Sequence, residues 1–363
     1  MSVIRVALAD DSSFVRRAVA HLLSHEPEIQ VVGLAADGQE LLESLDVWNP
    51  DVIVLDLSMP GRNGIEILEA VRHRRPTPVI ILSTHSRRGA PLTLEALSRG
   101  AADFIDKQEF SLVDFERLRQ ALVTKIRSVT GNPPLPSSPP PAPLPVLAVS
   151  QDGFAEPEAI LLGASTGGPP AIEQTLHDLG ADVEVPIVVA QHMPGSYIRA
   201  FAERLDKALP LAVRQAQDGM LLEGGTVTLA PGGMHLRIVR EIRPRGLRAQ
   251  LSTEPASIYQ PSVDVLFCSA AEHLGAACAA VLLTGMGHDG AEGMLHLTRL
   301  GALTIAQNEA TSVVFGMPRA AIEAGGAREV LPLSLIAHRL RQLLDNRRRS
   351  DNHESFWETA HGT

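Results

Sequence analysis

Eight prolines fall within the fifteen residues from Gly131 to Pro145, GNPPLPSSPPPAPLP. A stretch with so many fixed φ angles and no hydrophobic periodicity cannot enter a packed core, so it is expected to form an extended, semi-rigid spacer. It divides the 363 residues into two parts that must each bury a core of their own. Material for two cores is present, since 45% of the residues are hydrophobic and 20% are charged.

Before the spacer, short apolar runs alternate with amphipathic stretches. Ile4 to Ala9, Gln30 to Ala35, Val52 to Leu55, Val79 to Leu82 and Asp103 to Ile105 read as strands. Ser13 to Leu23, Gly38 to Leu45, Gly64 to Arg74, Pro91 to Arg99 and Leu112 to Val129 read as helices. Five βα units predict a parallel sheet with helices on both faces and a site at the carboxyl ends of its strands. The second part repeats the habit at Ala159 to Leu162, Ile187 to Ala190, Thr226 to Ala230, Leu247 to Leu251, Ala279 to Leu283 and Leu303 to Ala306. There, Met234 to Val239 and Gly246 to Leu251 look like an antiparallel hairpin. The fold class is therefore α/β, with two doubly wound parallel-sheet domains.

The formal net charge of −10 argues against a general nucleic-acid binder, which needs a basic face. The basic clusters Arg72 to Arg75 and Arg347 to Arg349 read as solvated surface. No apolar run approaches the ~20 residues that span a bilayer, and MSVIRVALADD reads as mature structure rather than a leader, so a cytoplasmic location is expected. The two cysteines, Cys268 and Cys278, have no partner at metal-ligand spacing and read as core.

Asp10 and Asp11 follow the first strand and Asp56 follows the third, so three carboxylates converge on one sheet edge. Such a cluster repels itself unless a hard cation joins it, and Mg²⁺ is the natural occupant. Ser83 and Lys107 end the fourth and fifth strands, adding a hydroxyl and a positive charge that imply an anion beside the metal. This arrangement, with LDLSMPGRNG around Asp56 and the aromatic Phe104, resembles the receiver domain of two-component response regulators, a flavodoxin-like fold, over residues 1–129. The resemblance implies that Asp56 accepts a phosphoryl group from a histidine kinase, with Mg²⁺ held by Asp10, Asp11 and Asp56. It assigns Lys107 to the phosphoryl group and Ser83 and Phe104 to the switch. Gln108 departs from the family's usual proline.

After the spacer, AILL runs straight into GASTGGPPA at Gly163 to Ala171. The glycines lack the P-loop lysine and the G-x-G-x-x-G spacing, so a phosphate cradle fits poorly. Residues 163 to 167 satisfy G-x-S-x-G, which can lift the hydroxyl of Ser165 at a strand-to-helix turn. A nucleophilic serine needs a base and an orienting carboxylate. His192 follows the next strand, and Asp289 follows the strand Ala279 to Leu283. The order Ser, His, Asp is not that of the α/β-hydrolases. His235 and His288 compete as bases, and Asp289 would equally serve as a helix N-cap.

Residues 158 to 340 resemble the catalytic domain of chemotaxis protein-glutamate methylesterases, through GASTGGPPA, QHMP, APGG with His235, QPSVDVLF and LLTGMGHDGAEG. A receiver, a proline-rich linker and this domain reproduce the family's order: 1–129, 130–157 and 158–345, with 346–363 as a disordered tail. The resemblance implies a Rossmann-like fold, Ser165 as nucleophile, His192 as base, Asp289 as its orienting partner, and an oxyanion hole from backbone N–H groups near Thr166 and Met286. It implies γ-methyl glutamate esters of chemoreceptors as substrates, with glutamine deamidation as a related reaction, and no cofactor in this half. In the tail, Phe356 to Thr359 (FWET) partly resembles a chemoreceptor pentapeptide that recruits the adaptation methyltransferase. Rival readings are a C-terminal domain that only binds a partner and a nucleotide-binding enzyme; no basic recognition helix supports DNA output.

Overall fold

The computed structural model describes residues 3–59, 61, 63–83, 89–107, 115–131, 154–242, 245–257 and 259–345. The proline-rich segment after Gly131, the FWET stretch and Gln108 lie outside the described residues. The chain divides into two compact units, Met1–Ser137 and Ser138–Thr363.

The first unit alternates β1 (Ile4–Ala9), α1 (Ser13–Leu23), β2 (Ile29–Ala35), α2 (Gly38–Trp48), β3 (Val52–Asp56), α3 (Gly64–Arg74), β4 (Val79–Ser83), α4 (Gly89–Ser98), β5 (Asp103–Asp106) and α5 (Phe115–Thr130). Its sheet is parallel with the order β2-β1-β3-β4-β5, the flavodoxin-like arrangement. β3 and β4 are buried along their whole length, which explains why VIVL and VIIL carry no polar alternation. α4 starts two residues before the expected Pro91, because proline needs no N–H within the first helical turn. The strand order reverses between β1 and β3, and their carboxyl ends carry Asp10, Asp11 and Asp56.

The second unit holds β6 (Ala159–Ala164), α6 (Gly168–Leu179), β7 (Ile187–Gln191), α7 (Gly195–Ala208), β8 (Ala212–Gln215) and β9 (Thr226–Leu229). The hairpin β10 (His235–Ile242) and β11 (Arg245–Ser252) follows, then α8 (Val263–His273), β12 (Cys278–Leu282), α9 (Ala291–Leu300), β13 (Leu303–Gln307), α10 (Met317–Glu323) and β14 (Glu329–Leu331). A last helix covers 333–345. Seven parallel strands run in the order β14-β13-β12-β6-β7-β9-β8, so the chain starts in the middle, builds one side and returns to build the other. The reversal falls between β6 and β12, where a doubly wound sheet opens a crevice at its carboxyl edge. The hairpin forms its own two-stranded sheet, so Leu247 to Leu251 belongs to it and not to the main sheet. It lies on α8, where the Ser269 hydroxyl accepts from the Ile238 N–H at 2.9 Å. β8 and β14 are edge strands of four and three residues with exposed positions, too short and too polar to show as apolar runs.

Candidate active site

The first residue after β6 is Ser165, and the first after β7 is His192. Ala164 and Gln191 pair in register, and the His192 N–H donates to the Ala164 carbonyl at 3.1 Å. Gly167, at φ +75°, makes the tight turn from strand to helix, a conformation that strains any residue with a Cβ. The turn closes when the Gly168 N–H donates to the Ser165 carbonyl at 2.8 Å. Gln191, buried at 2% exposure, ties the two strand ends together: its Nε2 donates to the Ser165 carbonyl at 2.9 Å and to the His192 carbonyl at 3.0 Å. GASTGG therefore presents a half-buried serine at a strand-to-helix turn.

His192 Nε2 donates to Asp289 Oδ2 at 2.7 Å, and both side chains are under a tenth exposed. Nδ1 of His192 is buried and makes no hydrogen bond among the described residues. Asp289 does not cap the helix that follows it, since Gly290 is the N-cap of α9. Instead it caps α8 from across the fold, accepting from the Val263 N–H at 2.6 Å, the Asp264 N–H at 3.0 Å and the Ser262 hydroxyl at 2.8 Å. The amides at this helix start, which have no partner within the helix, and its dipole favour a negative charge. Burial pushes the Asp289 carboxyl up, but the His192 hydrogen bond and charge, with the Val263 and Asp264 N–H groups, outweigh it and hold the carboxyl at about 2. Neighbouring Asp264 behaves oppositely: burial and the charge of Asp289, only partly offset by the Gly293 N–H, push it up to about 6.

The rival histidines fall elsewhere. His235 is fully buried with both nitrogens engaged, Nδ1 accepting from the Ser262 N–H at 3.1 Å and Nε2 donating to the Pro255 carbonyl at 2.9 Å. It braces the loop that carries Ser262. His288 is exposed. Met286 lies in the turn after β12, next to Gly285, which packs against the serine: an ideal Cβ on Gly285 would stand 2.9 Å from Ser165 Cβ and 3.1 Å from its N. Thr166 is buried, and its carbonyl accepts from the Thr284 hydroxyl at 2.9 Å, which ties the serine turn to this second turn. Gln191, Ser262 and Tyr259 also take part in the site, beyond the residues that spacing singles out. Ser262 had a signal, a serine before an apolar helical run, which marks an N-cap. Tyr259 had none.

In the first unit, oxygens of Asp10, Asp11 and Asp56 lie within 4.8 Å of one another. Asp10 and Asp56 are buried and Asp11 is exposed. Lys107 Nζ lies 2.5 Å from Asp56 Oδ2 and 2.8 Å from Asp10 Oδ2. Burial pushes the Asp10 carboxyl up against the pull of Lys107. Burial also opposes the charge on Lys107, but Asp10 and Asp56 outweigh it and raise that group. An all-oxygen donor set of this kind fits a hard divalent cation. Ser83 is buried with its hydroxyl 2.5 Å from that of Thr93, and Phe104 is buried on β5.

Two doubly wound domains, one with an acidic cluster beside Lys107 and one with a His192–Asp289 pair on the strand end next to the Ser165 turn, point to a response regulator with a hydrolytic output domain. The sequence pattern of the response regulator receiver domain matches residues 6–122, and that of CheB methylesterase matches residues 160–340. The protein-glutamate methylesterase/protein-glutamine glutaminase 1 of Xanthomonas campestris pv. campestris is 40% identical over 93% of this chain and 96% of its own length. The corresponding protein of Bordetella parapertussis is 41% identical over 96% of this chain and 99% of its own. The Thermotoga maritima CheB methylesterase catalytic domain, a crystal structure, is 35% identical and aligns with a TM-score of 0.49 over 53% of this chain and 99% of that one. The chain belongs to the protein-glutamate methylesterase/protein-glutamine glutaminase family of chemotaxis response regulators. Among the described residues no helix is long and apolar enough to cross a membrane.

Proposed function

We propose that this protein removes methyl groups from γ-methyl glutamate esters on chemoreceptors by a Ser-His-Asp mechanism, under control of its receiver. One observation carries the reading: a His192–Asp289 pair at 2.7 Å, both side chains under a tenth exposed, with the other ring nitrogen of His192 unengaged and its backbone on the strand end that pairs with the one leading into Ser165. Because Nε2 donates to Asp289, the proton sits on Nε2 and the lone pair on Nδ1. Nδ1 takes the Ser165 proton, Oγ attacks the ester carbonyl, and the N–H groups of Thr166 and Met286 receive the oxyanion. The imidazolium then protonates the leaving methoxide, methanol departs and a glutamyl ester of Ser165 remains. Water, deprotonated at the same nitrogen, hydrolyses that ester to a free glutamate side chain and the serine. On a glutamine side chain the same steps release ammonia.

In the receiver, Asp56 accepts a phosphoryl group from a chemotaxis histidine kinase. Asp10, Asp11 and Asp56 would hold Mg²⁺, which would neutralise charge during that transfer; Lys107 pairs with the phosphoryl oxygens, and Ser83 and Phe104 carry the switch. The domains run over 1–129 and 158–345, joined by the linker 130–157, and the protein works in the cytoplasm. The unmodified receiver restrains the esterase, so removing residues 1–140 raises basal activity. The FWET stretch at Phe356 to Thr359 offers a contact for the adaptation methyltransferase. Methanol release from methylated chemoreceptor membranes tests the central reading, comparing wild type with Ser165→Ala, each with and without a small phosphodonor and Mg²⁺. Release that needs Ser165 and rises on phosphorylation is expected; release unaffected by Ser165→Ala would refute the mechanism.

A further inference from the structure

The hydrogen bond to Asp289 fixes one atom of the His192 ring and leaves the ring plane free to tilt about that bond. Rotation about χ2 of histidine is broad and gives no sharp preference of its own. No second hydrogen bond among the described residues holds the ring, since Nδ1 has no partner. What holds the plane is a face. The ring of Tyr259 lies parallel to that of His192, at 3° between planes and 4.3 Å between centroids. Offset stacking at this range is favourable beyond simple burial.

We propose that Tyr259 is a positioning residue that sets the plane of His192 and so aims Nδ1 at the serine hydroxyl; this rests on the Ser-His-Asp reading above. The loop that carries Tyr259 is held at several points. Its N–H donates to the Ser257 hydroxyl at 3.2 Å, the Gln260 carbonyl accepts from the Gly233 N–H at 3.0 Å, and Gln260 Nε2 donates to the Thr253 carbonyl at 3.1 Å. Buried His235 clamps both flanks, through the Pro255 carbonyl and the Ser262 N–H. At the far end, an ideal Cβ on Gly287 would come within 3.2 Å of the Tyr259 hydroxyl, so the phenol spans from the base to the turn that carries Met286. Burial, and secondarily the charge of Asp289, push the phenol up, further from ionisation. The loop thus performs two tasks with adjacent residues: Ser262, Val263 and Asp264 hold Asp289, while Tyr259 holds the histidine that Asp289 binds.

The test compares the full chain with Tyr259→Phe, Tyr259→Leu and Tyr259→Met, with a small phosphodonor and Mg²⁺ present, by methanol release and by NMR of ¹³C-labelled histidine. Tyr259→Phe keeps the stack and is expected to hold kcat within about twofold of wild type. Tyr259→Leu and Tyr259→Met keep apolar cover without a ring face; kcat is expected to fall about tenfold or more with KM nearly unchanged, the pattern of a misaligned base. The ring-current-shifted histidine signal, identified by its loss in His192→Gln, is expected to survive in the Phe variant and move in the other two. An unchanged kcat in both aliphatic variants, or an equal fall in the Phe variant, would overturn the proposal. Ser165→Ala is the independent control. If it keeps activity, the serine mechanism itself has failed; if it is inactive while the Tyr259 variants behave as wild type, only the stacking role has failed.

Discussion

Replacing Asp289 by asparagine removes one charge and changes almost no volume, yet the hydrogen-bond pattern predicts a double penalty. Each carboxylate oxygen accepts two hydrogen bonds, and each pair includes one backbone N–H: Oδ2 serves His192 and Val263, and Oδ1 serves Ser262 and Asp264. A carboxamide has one accepting oxygen and one donating nitrogen, so either orientation points its NH₂ at a backbone N–H that cannot reverse. One buried donor is left without an acceptor, which costs about 1–3 kcal/mol. The same hydrogen bonds show in the depressed carboxyl, which, held at about 2 rather than 3.8, contributes roughly 2 kcal/mol at neutral pH. Because the folded-state value is depressed, that contribution is in force above about pH 4 and lost as pH falls toward 2, so the deficit of the variant should narrow in acid. If the NH₂ faces His192, the imidazole must accept at Nε2 and carry its proton on Nδ1, which removes the base and lowers the rate by about 10⁴. If it faces Asp264, the tautomer survives and the loss is closer to about 10²-fold. Urea unfolding at pH 7 and pH 3, with methanol release from methylated receptor membranes, measures both effects. A variant as stable as wild type and within tenfold of its activity would refute this account of Asp289.

Asp264→Asn should act in the opposite direction on stability. The Asp264 carboxyl is raised from 3.8 to about 6, so its ionisation disfavours the fold as pH rises through 6; the amide keeps an acceptor for the Gly293 N–H and should stabilise by roughly 2 kcal/mol at pH 8 and not at pH 4. Urea midpoints at the two pH values check it, and an equal shift at both would contradict the stated cause. Asp56→Asn is expected to abolish the response of methanol release to phosphodonor while leaving basal release within about twofold, because the receiver pocket and the hydrolytic crevice belong to separate units. Chelation by EDTA should remove the same response in wild type and spare the basal rate; a basal rate that collapses would place a metal in the esterase chemistry.

What was legible in the chain follows from which forces act locally. IVVAQ and CAAVL are strands buried from end to end, and such segments announce themselves because nothing in them faces water. Ser165, His192 and Asp289 were candidates for the same reason, each following a buried strand (β6, β7 and β12), but strand position left His235 and His288 as competing bases and Asp289 as a possible cap, and only the family resemblance chose among them. β8 and β14 escaped notice because edge position and short length leave too few apolar residues to form a pattern. Tyr259 and Gln191 escaped for a different reason. Their part in the site is a contact between side chains, or from side chain to main chain, across tens of residues, and no periodicity encodes it. The cap expected of Asp289 on the helix after it is not made; it caps α8 instead, with the same oxygens that hold His192, a long-range role that local sequence does not show.

The hydrogen bond between His192 and Asp289 joins residues 97 positions apart, and β6, on which the serine rides, pairs with β12 from late in the unit. Contacts of such long sequence separation form only after much of the chain is in hand. During synthesis the receiver, complete by about residue 130, can fold while the esterase is still unfinished. No partial chain lacking β12 and the turn after it can assemble the base. On the proposed mechanism, each newly made molecule is competent to receive a signal before it is competent to act on one, and a fragment truncated in the second unit is expected to accept phosphate with no hydrolytic output.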